Sequence, residues 1–75
     1  MIELKDAIEK AKTFINDIND TSGDARVEEA FISTDETYWA VAVSYVSRDA
    51  ENTRVTKMVH VNSDSGKVIG MYNQS

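Results

Sequence analysis

The chain predicts an α+β domain, an N-terminal helix packed across a four-stranded antiparallel β-meander. Three observations predict it. The first 18 residues carry apolar side chains at helical spacing; the rest carries β-branched and aromatic runs; and turn-forming residues separate each run from the next. With 75 residues and no cysteine, positions 1–75 form one domain near the lower size limit for folding without disulfides or metal. One small core has to supply the stability, about 3–5 kcal/mol.

In the helix, Leu4, Ile8, Ala11, Ile15 and Ile18 are spaced four, three, four and three apart, and Ala7 and Phe14 widen the stripe. The opposite side carries Glu3, Lys5, Asp6, Glu9, Lys10, Lys12 and Asp17. Both signs are mixed there, so the helix lacks the basic excess of a membrane-surface element and is expected to face a core. "NDTSGD" (Asn19 to Asp24) ends the pattern, with Gly23 placed for a left-handed stop. "RVEEAFIS" (Arg26 to Ser33) is β-prone, but its alternation slips at Glu28-Glu29, which predicts a bulge or an edge strand. After the turn "TDET", the run "YWAVAVSYV" (Tyr38 to Val46) alternates cleanly and puts Trp39, Val41, Val43 and Tyr45 on the face that meets the helix. "SRDAENT" (Ser47 to Thr53) reads as a mobile loop, and "RVTKMVHV" (Arg54 to Val61) and "KVIGMY" (Lys67 to Tyr72) as the last two strands.

"HVNSDSGKVIG" (His60 to Gly70) reads as a hairpin and not as a ligand loop. A phosphate loop would open a helix after Gly-Lys, whereas Gly66-Lys67 opens a β-branched run. Counted from Asn62 as a calcium loop, Gly66 falls at the fifth position and Asn73 at the twelfth, matching neither the glycine nor the glutamate such a loop needs. In the hairpin, Asp64 and Ser65 take the middle of a type I turn and Gly66 supplies a positive φ. Asn62 then faces Lys67, which pairs Val61 with Val68 and His60 with Ile69.

The net charge of −5 and a pI of about 4.6 disfavour a phosphate backbone, so no nucleic-acid partner is expected. The acidity serves solubility or steers a basic partner. The N-terminus has no apolar signal region and no run is long enough to span a bilayer, so the expected location is cytoplasmic, with no membrane association. The sequons at Asn19 and Asn73 carry little meaning without export.

No catalytic constellation is visible. His60 is the sole histidine, without a motif that pairs it to a serine or carboxylate, and no further nitrogen or sulfur ligands exist for a metal. No cofactor and no enzymatic activity are expected. Glu28/Glu29, Asp35/Glu36 and Asp49/Glu51 read as solvated charge, and strand alternation sets Glu28 and Glu29 on opposite faces. The aromatic residues lack interleaved Arg and Lys, so they read as core and rim and not as base-stacking platforms.

What stands out is the sheet face turned from the helix. If Val59, Val61 and Val68 point at the helix, alternation sends Met58, His60, Ile69 and Met71 the other way, joined by Tyr38, Ala40, Ala42 and Val46. A sheet covered on one side should be polar there, yet this set is small, apolar and methionine-bearing. Two readings stay open: the strand faces are swapped or their apolar residues merely scattered, or this face binds a protein partner or a second copy in a homodimer.

The order helix then four strands, with Ala7 and Ala11 in the helix, Trp39, Val41 and Val43 in the second strand, and Val59, Val61, Gly66 and Val68 in the closing hairpin, resembles the PepSY domain and its small relatives. Asn62 stands where that family has Asp, and Ser65 where it has Thr. The resemblance implies a regulator that holds a peptidase or propeptide in check. The related cystatin type of helix-on-sheet inhibitor would need a Gln-x-Val-x-Gly hairpin, and the first turn here reads "STDETYW". The expected function is therefore a small non-enzymatic interaction module, an inhibitor or regulator of a peptidase or other enzyme. The alternatives are an acidic immunity-type protein masking a basic toxin or nuclease site, and a small-ligand-binding domain.

Overall fold

The computed structural model describes residues 1–19, 25–47 and 53–73. Helix α1 spans Leu4–Asn19, followed by strands β1 (Arg26–Ile32), β2 (Tyr38–Ser47), β3 (Thr53–Asn62) and β4 (Val68–Asn73). The strands form one antiparallel sheet in the order β1-β2-β3-β4, the expected meander under one helix. The expected stop at Gly23, the interior of the polar Ser47–Thr53 stretch, and Asp49/Glu51 lie outside the described residues.

Alternation along β2 and β3 sends Val41, Val43, Tyr45, Val59 and Val61 into a core closed by Ala7, Ala11 and Ile15 of α1. Trp39, Val27, Ala30, Val55 and Val68 pack around it. The Trp39 side of β2 is thus the helix side, as expected. The helix stripe needs a correction. Leu4 and Ile18 point within about 20° of Ala11 at 100° per residue, yet they are 42% and 50% exposed. A straight helix meets a twisted sheet closely only near its middle, so its end residues overhang. The seat is Ala7-Ala11-Ile15, flanked by the half-buried Ile8 and Phe14.

β1 carries the bulge that its broken alternation predicted. The register shifts between Val27 and Glu29, leaving Glu28 as the extra residue on an edge strand. The turn between β1 and β2 is held by Asp35, whose Oδ1 accepts from Thr37 Oγ1 (2.7 Å), Ser33 Oγ (2.8 Å) and Thr37 N (3.2 Å). These bonds, the Thr37 hydroxyl first, hold the Asp35 carboxyl below the usual range. Glu36 closes the turn at φ 60°, a left-handed conformation uncommon outside glycine.

The β3–β4 turn forms as a hairpin. Asn62 N donates to Lys67 O (2.8 Å), Gly66 N donates to Asn62 O (3.0 Å), and the Asn62 carboxamide oxygen accepts from Asp64 N (2.8 Å) and Ser65 N (2.9 Å). Gly66 has φ 76°. A methyl group there would meet Lys10 Cε at 3.6 Å and Ile2 Cδ1 at 3.7 Å, ordinary contacts. The glycine is therefore required by its backbone conformation and not by space.

The two turns lie side by side and clamp the start of the helix. Ser63 is buried, donating from N to Thr37 O (3.0 Å) and from Oγ to Glu36 O (2.7 Å). Its carbonyl accepts from Ile2 N (2.6 Å), and Ile2 O accepts from the Trp39 indole Nε1 (3.2 Å). The ammonium of Met1 lies 3.8 Å from Asp64.

Two outcomes follow from this packing. Ile15→Ala, which empties a fully buried site, is expected to cost about 2–5 kcal/mol in urea titration, whereas Leu4→Ala and Ile18→Ala cost about 1 kcal/mol or less. Equal losses at the three positions would refute the helix seat. Gly66→Val is expected to lose about 1 kcal/mol or more and Gly66→Asn less, because asparagine tolerates a positive φ and a β-branched residue does not. Indistinguishable melts for these two variants would contradict the turn.

Candidate functional site

No described element covers the sheet face opposite α1. The even-numbered residues Tyr38, Ala40, Ala42, Ser44 and Val46 of β2 point there, with Met58 and His60 of β3. Glu29 and Phe31 of β1 join them, since they lie opposite Ala42 and Ala40.

The β4 contribution differs from the sequence expectation. Val61 pairs with Val68 as expected, but His60 pairs with Gly70, because the register shifts there and leaves Ile69 as an extra residue. That insertion inverts the alternation beyond it. Met71 falls opposite Val59 and packs against the helix-side core, so its assignment to the helix-free face is corrected. Tyr72, read from the sequence as core or rim, instead falls opposite Met58 on the helix-free face. Ile69 is 55% exposed at the bulge, without a place in the β3–β4 ladder.

The face is built in two tiers. Ala40 and Ala42 are buried although no described helix lies over them; each is flanked in the ladder by larger residues, Ala40 by Phe31 and His60 and Ala42 by Glu29 and Met58. Above this floor the rings of Tyr38, His60 and Tyr72 form a continuous row. Tyr38 stacks on His60 with centroids 4.3 Å apart and planes at 25°, and Tyr72 meets the imidazole at 4.8 Å and 52°. Gly70 permits this row. A methyl group at Gly70 would lie 2.6 Å from the Tyr72 hydroxyl oxygen and 2.9 Å from two ring carbons, so the tyrosine can lie across the strand only where there is no side chain. Phe31 and Tyr72, at 49% and 54% exposed, form the two margins.

A polar end continues the face toward the end of β2 and the start of β3. Ser44 Oγ donates to Glu28 Oε1 (2.6 Å) and accepts from Arg54 Nη1 (3.0 Å), linking β1, β2 and β3 through a buried hydroxyl. Two sequence readings change here. Glu28 is a hydrogen-bonded side chain and not merely solvated charge, and the bulge lets Glu28 and Glu29 share one face. Ser44 and His60 stand four residues apart in the ladder, roughly 13 Å, so the hydroxyl and the imidazole do not form a nucleophile–base pair. The signal for this bridge was weak in the sequence, since it needs the bulge and two strand registers at once.

Among the described residues no group of three or more His, Asp or Glu side chains comes together to hold a metal ion, and no helix is long and apolar enough to cross a membrane. Comparison with family models, with curated proteins and with solved structures finds no match to this chain.

Partial burial between the tyrosines holds the His60 pKa below its ordinary value, because desolvation disfavours the imidazolium. The unfolded chain therefore takes up this proton first as pH falls. Stability is fully present above about pH 6.5 and declines as the pH drops through the folded value. Urea midpoints taken from about pH 7.5 to pH 5 are expected to fall, and His60→Gln to flatten that stretch of the curve. A wild-type curve between about pH 7.5 and pH 5 that His60→Gln leaves unchanged would refute this assignment.

Proposed function

We propose that the chain is a non-enzymatic protein-interaction module whose contact surface is the helix-free face, and that it acts as an inhibitor or regulator of the protein it docks on. The supporting observation is the row Tyr38–His60–Tyr72, flanked by exposed Phe31, on a face that no described element covers. Aromatic side chains on a rigid support are the groups that carry most binding energy at protein interfaces, and they lose little entropy when they dock. The strand pairing beside them, with buried Ala40 opposite His60, supplies that support. The sequence resemblance to small PepSY-like regulators points the same way.

The test is co-purification from the source cells on the tagged 75-residue chain, compared with Phe31→Glu and Tyr72→Glu, which alter exposed side chains and should leave the fold intact by circular dichroism. A specific protein retained by the wild type and by Lys12→Glu, but lost by at least about tenfold with both face variants, is the expected result. Capture that survives both substitutions would overturn the face assignment. Steep loss of capture with salt would favour the acidic immunity-type reading. Light scattering on the purified protein separates self-association from a foreign partner.

A further inference from the structure

The two edges of the sheet are unlike. β1 carries Arg26, Glu28, Glu29 and a bulge, which together discourage a foreign strand from pairing. β4 carries no charged residue, and beyond its bulge at Ile69 the stretch Gly70–Asn73 is in regular register with β3, its other edge belonging to no strand of the sheet. Where this strand begins, an open groove of about 630 Å³ lies between α1 and the Gly66–Val68 segment, with Phe14 and Val68 in its walls, so that it borders β4 at Val68, just ahead of the bulge. A helix on one side and an unpaired strand edge on the other is the geometry in which a peptide is bound by strand addition.

The charges along the groove are graded. α1 and β4 both leave the clamped end of the molecule, where Lys10 lies beside Gly66 and Lys67 begins the strand. Glu9 shares that end, where the two lysines outnumber it, and Asp17 lines the groove about two helical turns further on. Lys57, opposite Asn73 on β3, is hydrogen-bonded to the Asn73 side chain. We infer that the groove takes an extended peptide segment as a fifth strand on β4, with an apolar side chain between Phe14 and Val68. Its acidic residue lies toward Lys10 and Lys67, and its basic residue toward Asp17. Antiparallel addition, the more stable pairing, puts the basic residue at the peptide's N-terminal end and the acidic one at its C-terminal end. This site uses the helix side of the molecule and does not depend on the aromatic face.

The probes are two capped peptides, Lys-Val-Thr-Val-Thr-Val-Glu and its charge-swapped counterpart Glu-Val-Thr-Val-Thr-Val-Lys, titrated into the isotope-labelled full chain and followed by amide chemical shifts. Saturable shifts at Val68–Asn73 and around Phe14 are expected, with the first peptide binding about tenfold more tightly than the second. Lys67→Glu, an exposed change whose spectrum confirms the fold, should abolish or invert that preference. The inference is overturned if neither peptide saturates by about 1 mM, if the shifts cluster on Phe31, Tyr38 and His60, or if Lys67→Glu leaves the preference unchanged. It is also overturned if the β4 amides become protected with protein concentration in the absence of peptide, which would assign the edge to a second copy of the chain.

Discussion

One helix can cover only one face of a four-stranded sheet, and most of this structure follows from that. α1 has 16 residues, so it is about 24 Å long, while the 10-residue strands β2 and β3 reach about 33 Å. On the covered side the solution is close approach. Alanines at 7 and 11 bring the helix backbone down onto the valines of β2 and β3, and Ile15 fills the space beyond them. A larger residue at either alanine would lift the helix from the floor that gives the domain its main core.

The uncovered side has to shelter its own apolar atoms. It does so by putting the smallest side chains on a central strand and larger ones on both neighbours, so that Ala40 and Ala42 are buried without a second layer. The same device recurs at Gly70, over which Tyr72 folds toward His60. What remains accessible includes the aromatic margins Phe31 and Tyr72, with Val46 and the charged Glu29 beside them. A surface of this kind is both internally supported and available for contact, which is why it forms the basis of the proposed function.

Polar groups contribute by location more than by number. Ser63 ties the two turns together, and through Ile2 and Trp39 the same cluster anchors the chain just before the helix begins. This anchor sets where the helix starts over the sheet, and hence which of its residues reach the floor. The two bulges act in a comparable way on the strands. At Glu28 the extra residue brings a carboxylate to Ser44, and at Ile69 it exchanges the faces of Met71 and Tyr72.

Periodicity and turn-forming residues determined the helix, the four strands, their antiparallel order, the helix-facing side of β2 and the hairpin around Gly66. Each is a local pattern whose physical cause, one buried face per element or one residue with positive φ, is written in adjacent residues. The β1 irregularity was legible for the same reason, as a break in alternation at Glu28-Glu29. The tertiary structure decided what depends on meeting another element. Leu4 and Ile18 carry the right spacing but overhang the sheet, and the insertion at Ile69 leaves no compositional mark because isoleucine suits either face of a strand. That one-residue shift reversed Met71 and Tyr72 and so built the aromatic row, since in a structure with a side-chain period of two a single extra residue exchanges every face beyond it.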